Sequence, residues 1–255
     1  MMIDLLIVTG GSKGIGKNIV LNSSVSAKKV LAIGSSDLIN DVQDNESNIY
    51  SLKKDISVIE NNFDELSKFL KEHKPVSIGI ALCASKLGNF GGILDADFED
   101  WENLYKTNVL GNLSILRNIL NFINKDSHIR VVFFGGGGAA YGYPEFSGYA
   151  LSKVAVVRAV ENIGIEFKKD YKNASIVALA PGAVSTDMLA IVESHGAEIK
   201  TRTSIDEPTN FVLSFISDKI PSTKLNGCFI HVRDDVNKYF NEELDENHFK
   251  LRRID

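Results

Sequence analysis

The run LLIVTGGSKGIG, Leu5–Gly16, sets a short apolar stretch directly against a glycine-rich turn. Helix-compatible residues follow as far as Ser26, so the segment reads as strand, turn and helix. Glycines at such a turn let the backbone bend sharply and come close to a ligand, and the free N–H groups of the helix start attract a pyrophosphate. Thr9, Gly10, Ser12, Lys13, Gly14, Ile15 and Gly16 are the candidate cradle.

The same alternation continues along the chain. Further apolar strands are expected at Val30–Ile33, Ile49–Lys53, Ser77–Leu82, Arg130–Phe134, Ser175–Ala180 and Cys228–Val232. Helical spacing is expected over Ile59–Glu72, ended by Pro75, then over one long helix Asp97–Asn124 kinked at Gly111, over Tyr149–Lys169 and over Phe211–Ile216. Strands alternating with helices predict an α/β fold: a doubly wound, mostly parallel, seven-stranded sheet with helices on both faces and ligands at the carboxyl ends of its strands. No proline- or serine-rich linker divides the 255 residues, so one domain over 1–255 is expected.

An acidic residue at the end of the second strand would bind the free ribose of NAD, and a basic one would favour the 2′-phosphate of NADP. Gly34, Ser35 and Ser36 follow that strand, Lys13 is within reach from the first turn, and Asp37 lies slightly beyond the acidic place. The balance favours NADP, with NAD as the alternative. Asp55, with Ile56 beside it, suits the adenine side of the pocket, although a capping aspartate fits equally well.

A second informative stretch is VVFFGGGGAAYGYPEFSGYALSK, Val131–Lys153. Tyr149 and Lys153 are one helical turn apart on one face, so the ammonium can lie near the phenol, favour the phenolate and lower its pKa toward neutrality. Such a tyrosine is a general acid or base, against the plainer reading of an amphipathic helix start. Asn108, inside the long helix, is either a tolerated polar residue or a side chain turned toward the site.

Composition narrows the partners. A net charge of -5 gives no general attraction to nucleic acid. The N-terminal apolar run is too short to span a bilayer and lacks the basic start of a signal peptide, so a cytoplasmic protein with no membrane contact is expected. Cys83 and Cys228 lie in apolar runs and form no ligand spacing with the five histidines, so no metal site is expected.

Together, Thr9–Gly16, Asp55, Asn108, Tyr149-Ala-Leu-Ser-Lys153 and Pro181-Gly-Ala-Val-Ser-Thr186-Asp-Met188 resemble the ordered motifs of the short-chain dehydrogenase/reductase family across nearly the whole chain. The resemblance implies a Rossmann-type sheet, a small-molecule substrate and hydride transfer between a nicotinamide and a carbonyl or alcohol. It implies that Tyr149 exchanges a proton with the substrate oxygen, that Lys153 holds the nicotinamide ribose and lowers the tyrosine pKa, and that Asn108 supports a proton-relay water. Pro181, Gly182, Val184 and Thr186 would embrace the carboxamide. A homodimer or homotetramer built partly on the long helices is also implied, with Val154, Val157, Val160 and Ile163 suited to a core or an interface.

Two departures limit the resemblance. The family places a serine where this chain has Gly136, and Asn-Ala-Gly where it has Cys83-Ala84-Ser85. Losing one donor to a developing oxyanion costs about 3 kcal/mol, roughly a hundredfold in rate. Either an enzyme replaces that donor with a backbone N–H of the glycine run, with Ser147 or with a substrate hydroxyl, or the chain is a dinucleotide-binding regulator without turnover. The glycine run and Asn226–Asp235 are similar to family members encoded among bacterial surface-carbohydrate genes, an analogy pointing to a sugar-derived substrate. Glu193, His195, Lys200 and Arg202, in the expected lid, face a polar substrate or form a solvated surface. The tail from Asp234, with Tyr239, Phe240, Leu244 and Phe249, packs on its own subunit or on a neighbour.

Overall fold

The computed structural model describes residues 1–36, 48–196, 198–241 and 251. Asp37, Leu244 and Phe249 lie outside the described residues, and so do the side chains of Tyr239 and Phe240. The elements follow in the order β1 (Ile3–Thr9), α1 (Gly14–Asn22), β2 (Ala27–Gly34), β3 (Ile49–Lys53), α2 (Asp64–His73), β4 (Ser77–Leu82), α3 (Phe98–Tyr105), α4 (Asn112–Leu120), β5 (His128–Phe134), α5 (Ser147–Asp170) and β6 (Ala174–Ala180). Then come β7 (Ala183–Val184), α6 (Asp187–Ser194), β8 (Arg202–Thr203), α7 (Asp206–Ile216), β9 (Cys228–His231) and α8 (Val236–Phe240).

The main sheet has seven strands in the order β3-β2-β1-β4-β5-β6-β9, and every pairing in it is parallel. Alternating side chains feed two cores. Leu5, Ile7, Leu31, Ile33 and Val131 face one layer of helices, while Leu6, Val8, Val30, Ala32 and Val132 face the other. Burial on both faces explains why these strands read as continuous apolar runs. β7 and β8 pair separately and were not expected.

Two helical expectations change. The segment 59–63 is not helical, because Ser114 and Arg117 donate to the carbonyls of Glu60 and Asn61, and Asn118 accepts from the Phe63 N–H at 3.1 Å. Helix α2 therefore begins at Asp64, and left-handed Lys74 (φ 43°) before Pro75 ends it. The long helix is interrupted by a π-turn, Lys106–Gly111, rather than by a simple kink. A Cβ on Gly111 would stand 2.3 Å from the Ile56 carbonyl oxygen, which explains the glycine.

At the amino-terminal end of the sheet, Arg130 is 2% exposed. Its Nε donates to Asp218 Oδ1 at 2.8 Å, and its Nη2 donates to Asp218 Oδ2 at 3.0 Å and to Asn173 Oδ1 at 2.8 Å. Removing the partner of a buried charge is far costlier than removing an exposed one. Asp218→Ala is expected to cost about 3 kcal/mol, read as a lower urea midpoint. An unchanged midpoint would show that the neutral acceptors alone satisfy the guanidinium.

Candidate active site

The chain direction across the sheet reverses between β1 and β4, and a cleft of about 550 Å³ opens at the carboxyl ends of these strands. This is where a doubly wound sheet binds ligands. Of the residues expected there, Gly10, Ser12, Lys13, Gly14, Ile15, Gly16, Ser35, Asp55, Ile56, Tyr149, Lys153, Pro181 and Thr186 line it. The glycine turn is tight for a packing reason: a Cβ on Gly16 would stand 2.3 Å from the Gly10 carbonyl oxygen, and Gly10 itself has φ +66°. Helix α1 starts at Gly14 with no side-chain cap, leaving first-turn N–H groups suited to a phosphate.

Other expected residues support the walls without being part of them. Thr9 is fully buried; its hydroxyl donates to Asn112 Oδ1 at 2.6 Å and accepts from the Ala84 N–H at 3.2 Å. Ser36 donates to Ser12 Oγ at 2.9 Å, which puts two hydroxyls where β1 and β2 end. Gly182 (φ +74°) turns the chain beside Thr203, and Val184 is buried in the small β7–β8 pair. Ser147 opens α5, and Gly136 lies in the loop before it; neither belongs to the cleft lining.

Asp55 turns out to cap its own loop. Its Oδ1 accepts from the Ser57 hydroxyl at 2.7 Å and the Ser57 N–H at 2.9 Å, and these bonds hold the carboxyl below its usual range against the opposing effect of burial. It lines the cleft while doing so, and it does not cap the next helix, whose N-cap position is Phe63.

Asn108 falls in the π-turn, and its amide is fully engaged. It accepts from the Lys86 N–H at 2.7 Å, donates to the Lys86 carbonyl at 2.9 Å and donates to Ser152 Oγ at 3.0 Å. Ser152 in turn donates to the Tyr149 carbonyl at 2.7 Å. Asn108 thus joins the loop after β4 to the turn of α5 that carries Tyr149. Asn112, one turn on, was missed by sequence reasoning; the i, i+4 spacing of two asparagines was the available signal.

The electrostatics correct one expectation. Lys153 is 2% exposed and donates to the Phe134 carbonyl at 3.0 Å, with its Nζ 5.3 Å from the Tyr149 ring centroid. Burial, reinforced by Tyr143, pushes the Tyr149 phenol up from its ordinary value rather than toward neutrality. Burial also pushes Lys153 down to about 8, opposed by Cys83.

Cleft residues that the sequence did not single out include Lys86, Leu87, Phe134 and Ile191, together with Cys83, Ala84 and Ser85 from the departed motif, while Met188, the last residue of the Pro181–Met188 segment, also lines it. Beyond them, His195 stacks on Phe90 with centroids 3.6 Å apart, and Phe90 meets Phe146 edge-on at 4.8 Å. His195 is therefore tied to the loop after β4. Glu193 pairs with Arg202, and none of Glu193, His195, Lys200 or Arg202 lines the cleft.

The family model for short chain dehydrogenases matches residues 4–196. An uncharacterised oxidoreductase of Saccharomyces cerevisiae is 29% identical over 198 residues, covering 71% of this chain and 75% of that one. A short chain dehydrogenase of Shigella flexneri solved with NADP superposes with a TM-score of 0.77 at 16% identity, covering 92% of this chain and 98% of that one. A 4-hydroxyisoleucine dehydrogenase solved with NADH gives a TM-score of 0.71 at 16% identity, covering 89% of this chain and 96% of that one.

Proposed function

The chain belongs to the short chain dehydrogenase family and is an NAD(P)-dependent oxidoreductase, and from that premise we propose that it uses NADPH to reduce a carbonyl, with Tyr149 as proton donor. The observation that carries this reading is that Tyr149 and Lys153 line the same cleft as the glycine turn. A bound nicotinamide dinucleotide supplies or takes up the hydride.

The chain's own groups fit that cofactor. The close approach at Gly10 and Gly16 and the uncapped start of α1 suit a pyrophosphate. Lys13, Ser35 and the Ser12–Ser36 hydroxyl pair suit a 2′-phosphate. Lys153 suits the nicotinamide ribose, and Pro181 and Thr186 the carboxamide. With a phenol held protonated, Tyr149 gives its proton to the oxygen that gains charge as a carbonyl is reduced. Asn108, through Ser152, keeps Tyr149 in place.

NADPH is expected to bind more tightly than NADH, and Lys13→Ala to narrow the gap about tenfold, the effect of losing one charge-assisted bond. Equal affinities in the unaltered protein would turn the reading toward NAD. Consumption of NADPH with a panel of ketones, aldehydes and sugar-derived carbonyls tests the reaction itself. Binding without consumption would favour the regulatory reading.

We also read the chain as one domain, working in the cytoplasm as a homodimer or homotetramer. Among the described residues no helix is long and apolar enough to cross a membrane. Phe98, Leu110, Leu151 and Val154 leave apolar surface exposed on α3, the π-turn and α5, as an interface would need, whereas Val157 and Val160 are core and Ile163 packs on it. At the tail, Arg158 and Glu161 bond the backbone of Leu251, which favours packing on its own subunit.

A further inference from the structure

We infer that the Ser85 hydroxyl is a direct ligand contact at the reacting end of the cleft, bonding either the substrate carbonyl oxygen or a hydroxyl of the nicotinamide ribose; the inference rests on the oxidoreductase reading above. Ser85 is a lining residue of the cleft with Tyr149 and Lys153, and its Oγ, shielded from solvent, has no hydrogen-bond partner among the described residues. A buried hydroxyl left unpaired is costly and rare, and one on a binding cleft is satisfied by what the cleft takes up.

The loop around Ser85 is built to hold it still. Ala84 before it is fixed at both backbone groups, donating to Thr9 Oγ1 at 3.2 Å and accepting from Asn112 Nδ2 at 2.9 Å. Lys86 after it is fixed in the same way, donating to Asn108 Oδ1 at 2.7 Å and accepting from Asn108 Nδ2 at 2.9 Å. Two asparagines one helical turn apart therefore clamp both neighbours of Ser85, and a side chain so placed loses little entropy on binding. Cys83, two residues earlier, lines the cleft with Tyr149 and Lys153, which sets this loop beside the reactive pair.

Gly136 sharpens the inference. Its φ of 170° is extended backbone that any residue adopts, and an added Cβ would make only ordinary contacts, 3.5 Å from Tyr149 Oη and 3.5 Å from Lys153 Cγ. Packing therefore leaves room for a side chain at Gly136, so a serine hydroxyl can be tested there. The two departures noted in the sequence are complementary: a hydroxyl missing at Gly136 and one present at Ser85.

Ser85→Ala, alone and combined with Gly136→Ser, tests this, with NADPH affinity by fluorescence titration and ketone reduction read side by side. A contact to the carbonyl predicts that kcat falls about thirtyfold, that NADPH affinity stays within twofold and that Gly136→Ser restores most of the loss. A contact to the ribose predicts NADPH binding about tenfold weaker, with no rescue by Gly136→Ser. Both rate and affinity within twofold of the unaltered protein would overturn the inference. Ser85→Ala is expected to melt no lower than the parent, since it removes an unpaired buried hydroxyl; if it melts lower, Ser85→Gly is read in its place. Failure of the underlying reading shows separately, as an unchanged rate in Tyr149→Phe, and the NADPH titration still decides the fate of Ser85.

Discussion

Tyr149→Phe is expected to lower turnover by about a thousandfold while leaving NADPH affinity within twofold. The ring and its packing survive the change, including the face near Lys153 Nζ, and only the exchangeable proton is lost. Because burial holds the phenol above its ordinary value, Tyr149 stays protonated at neutral pH and is ready to act as an acid. Reduction of a carbonyl should accordingly be nearly independent of pH below about 7, and should decline only as Lys153 loses its proton at about 8. Oxidation of an alcohol needs the phenolate as base, so its rate should climb with pH into the alkaline range. Initial rates in both directions across this window provide the check. A reduction rate that falls steeply near pH 7 would show that Lys153 controls the phenol after all, and full activity in the Tyr149→Phe variant would remove this side chain from the chemistry.

The architecture was largely legible because strand signals are local. Ile49–Lys53 and Ser77–Leu82 have the bounds that their apolar runs suggest. What escaped depends on distant partners. Residues 59–63 carry helical spacing, yet Ser114, Arg117 and Asn118 bind that segment in another conformation, and no local pattern announces this. Likewise the π-turn over Lys106–Gly111 comes with long-range bonds from Asn108 and Asn112 to the loop after β4. At the site, spacing brought Tyr149 and Lys153 together correctly but said nothing about depth. Loss of hydration around the half-buried phenol reverses the expected direction of the tyrosine shift. Ser85 could be seen only as a departure from a motif until its unpaired, shielded hydroxyl was found in a residue that lines the cleft.

Lys153→Met is expected to abolish turnover, weaken dinucleotide binding and yet stabilise the fold. Lys153 is almost fully buried, its ammonium donates to a single backbone carbonyl, and burial lowers its pKa from 10.5 to about 8. A shift of that size corresponds to roughly 3 kcal/mol against keeping the charge inside at pH 7. The direction with pH follows from proton binding. Between pH 8 and 10.5 the unfolded chain holds the lysine proton more firmly than the folded one, so stability rises with pH across that interval. Above about pH 10 the raised phenol of Tyr149 works the other way, because the unfolded tyrosine then loses a proton that the folded one keeps. Urea titrations at pH 7, 8, 9 and 10 should therefore show the unaltered protein gaining stability and the methionine variant starting higher and staying level. A variant less stable than its parent at pH 7 would mean that the bond to Phe134 outweighs the desolvation of the charge. The expected result identifies Lys153 as a charge kept in the core at a cost in stability, which only its work on a bound ligand explains.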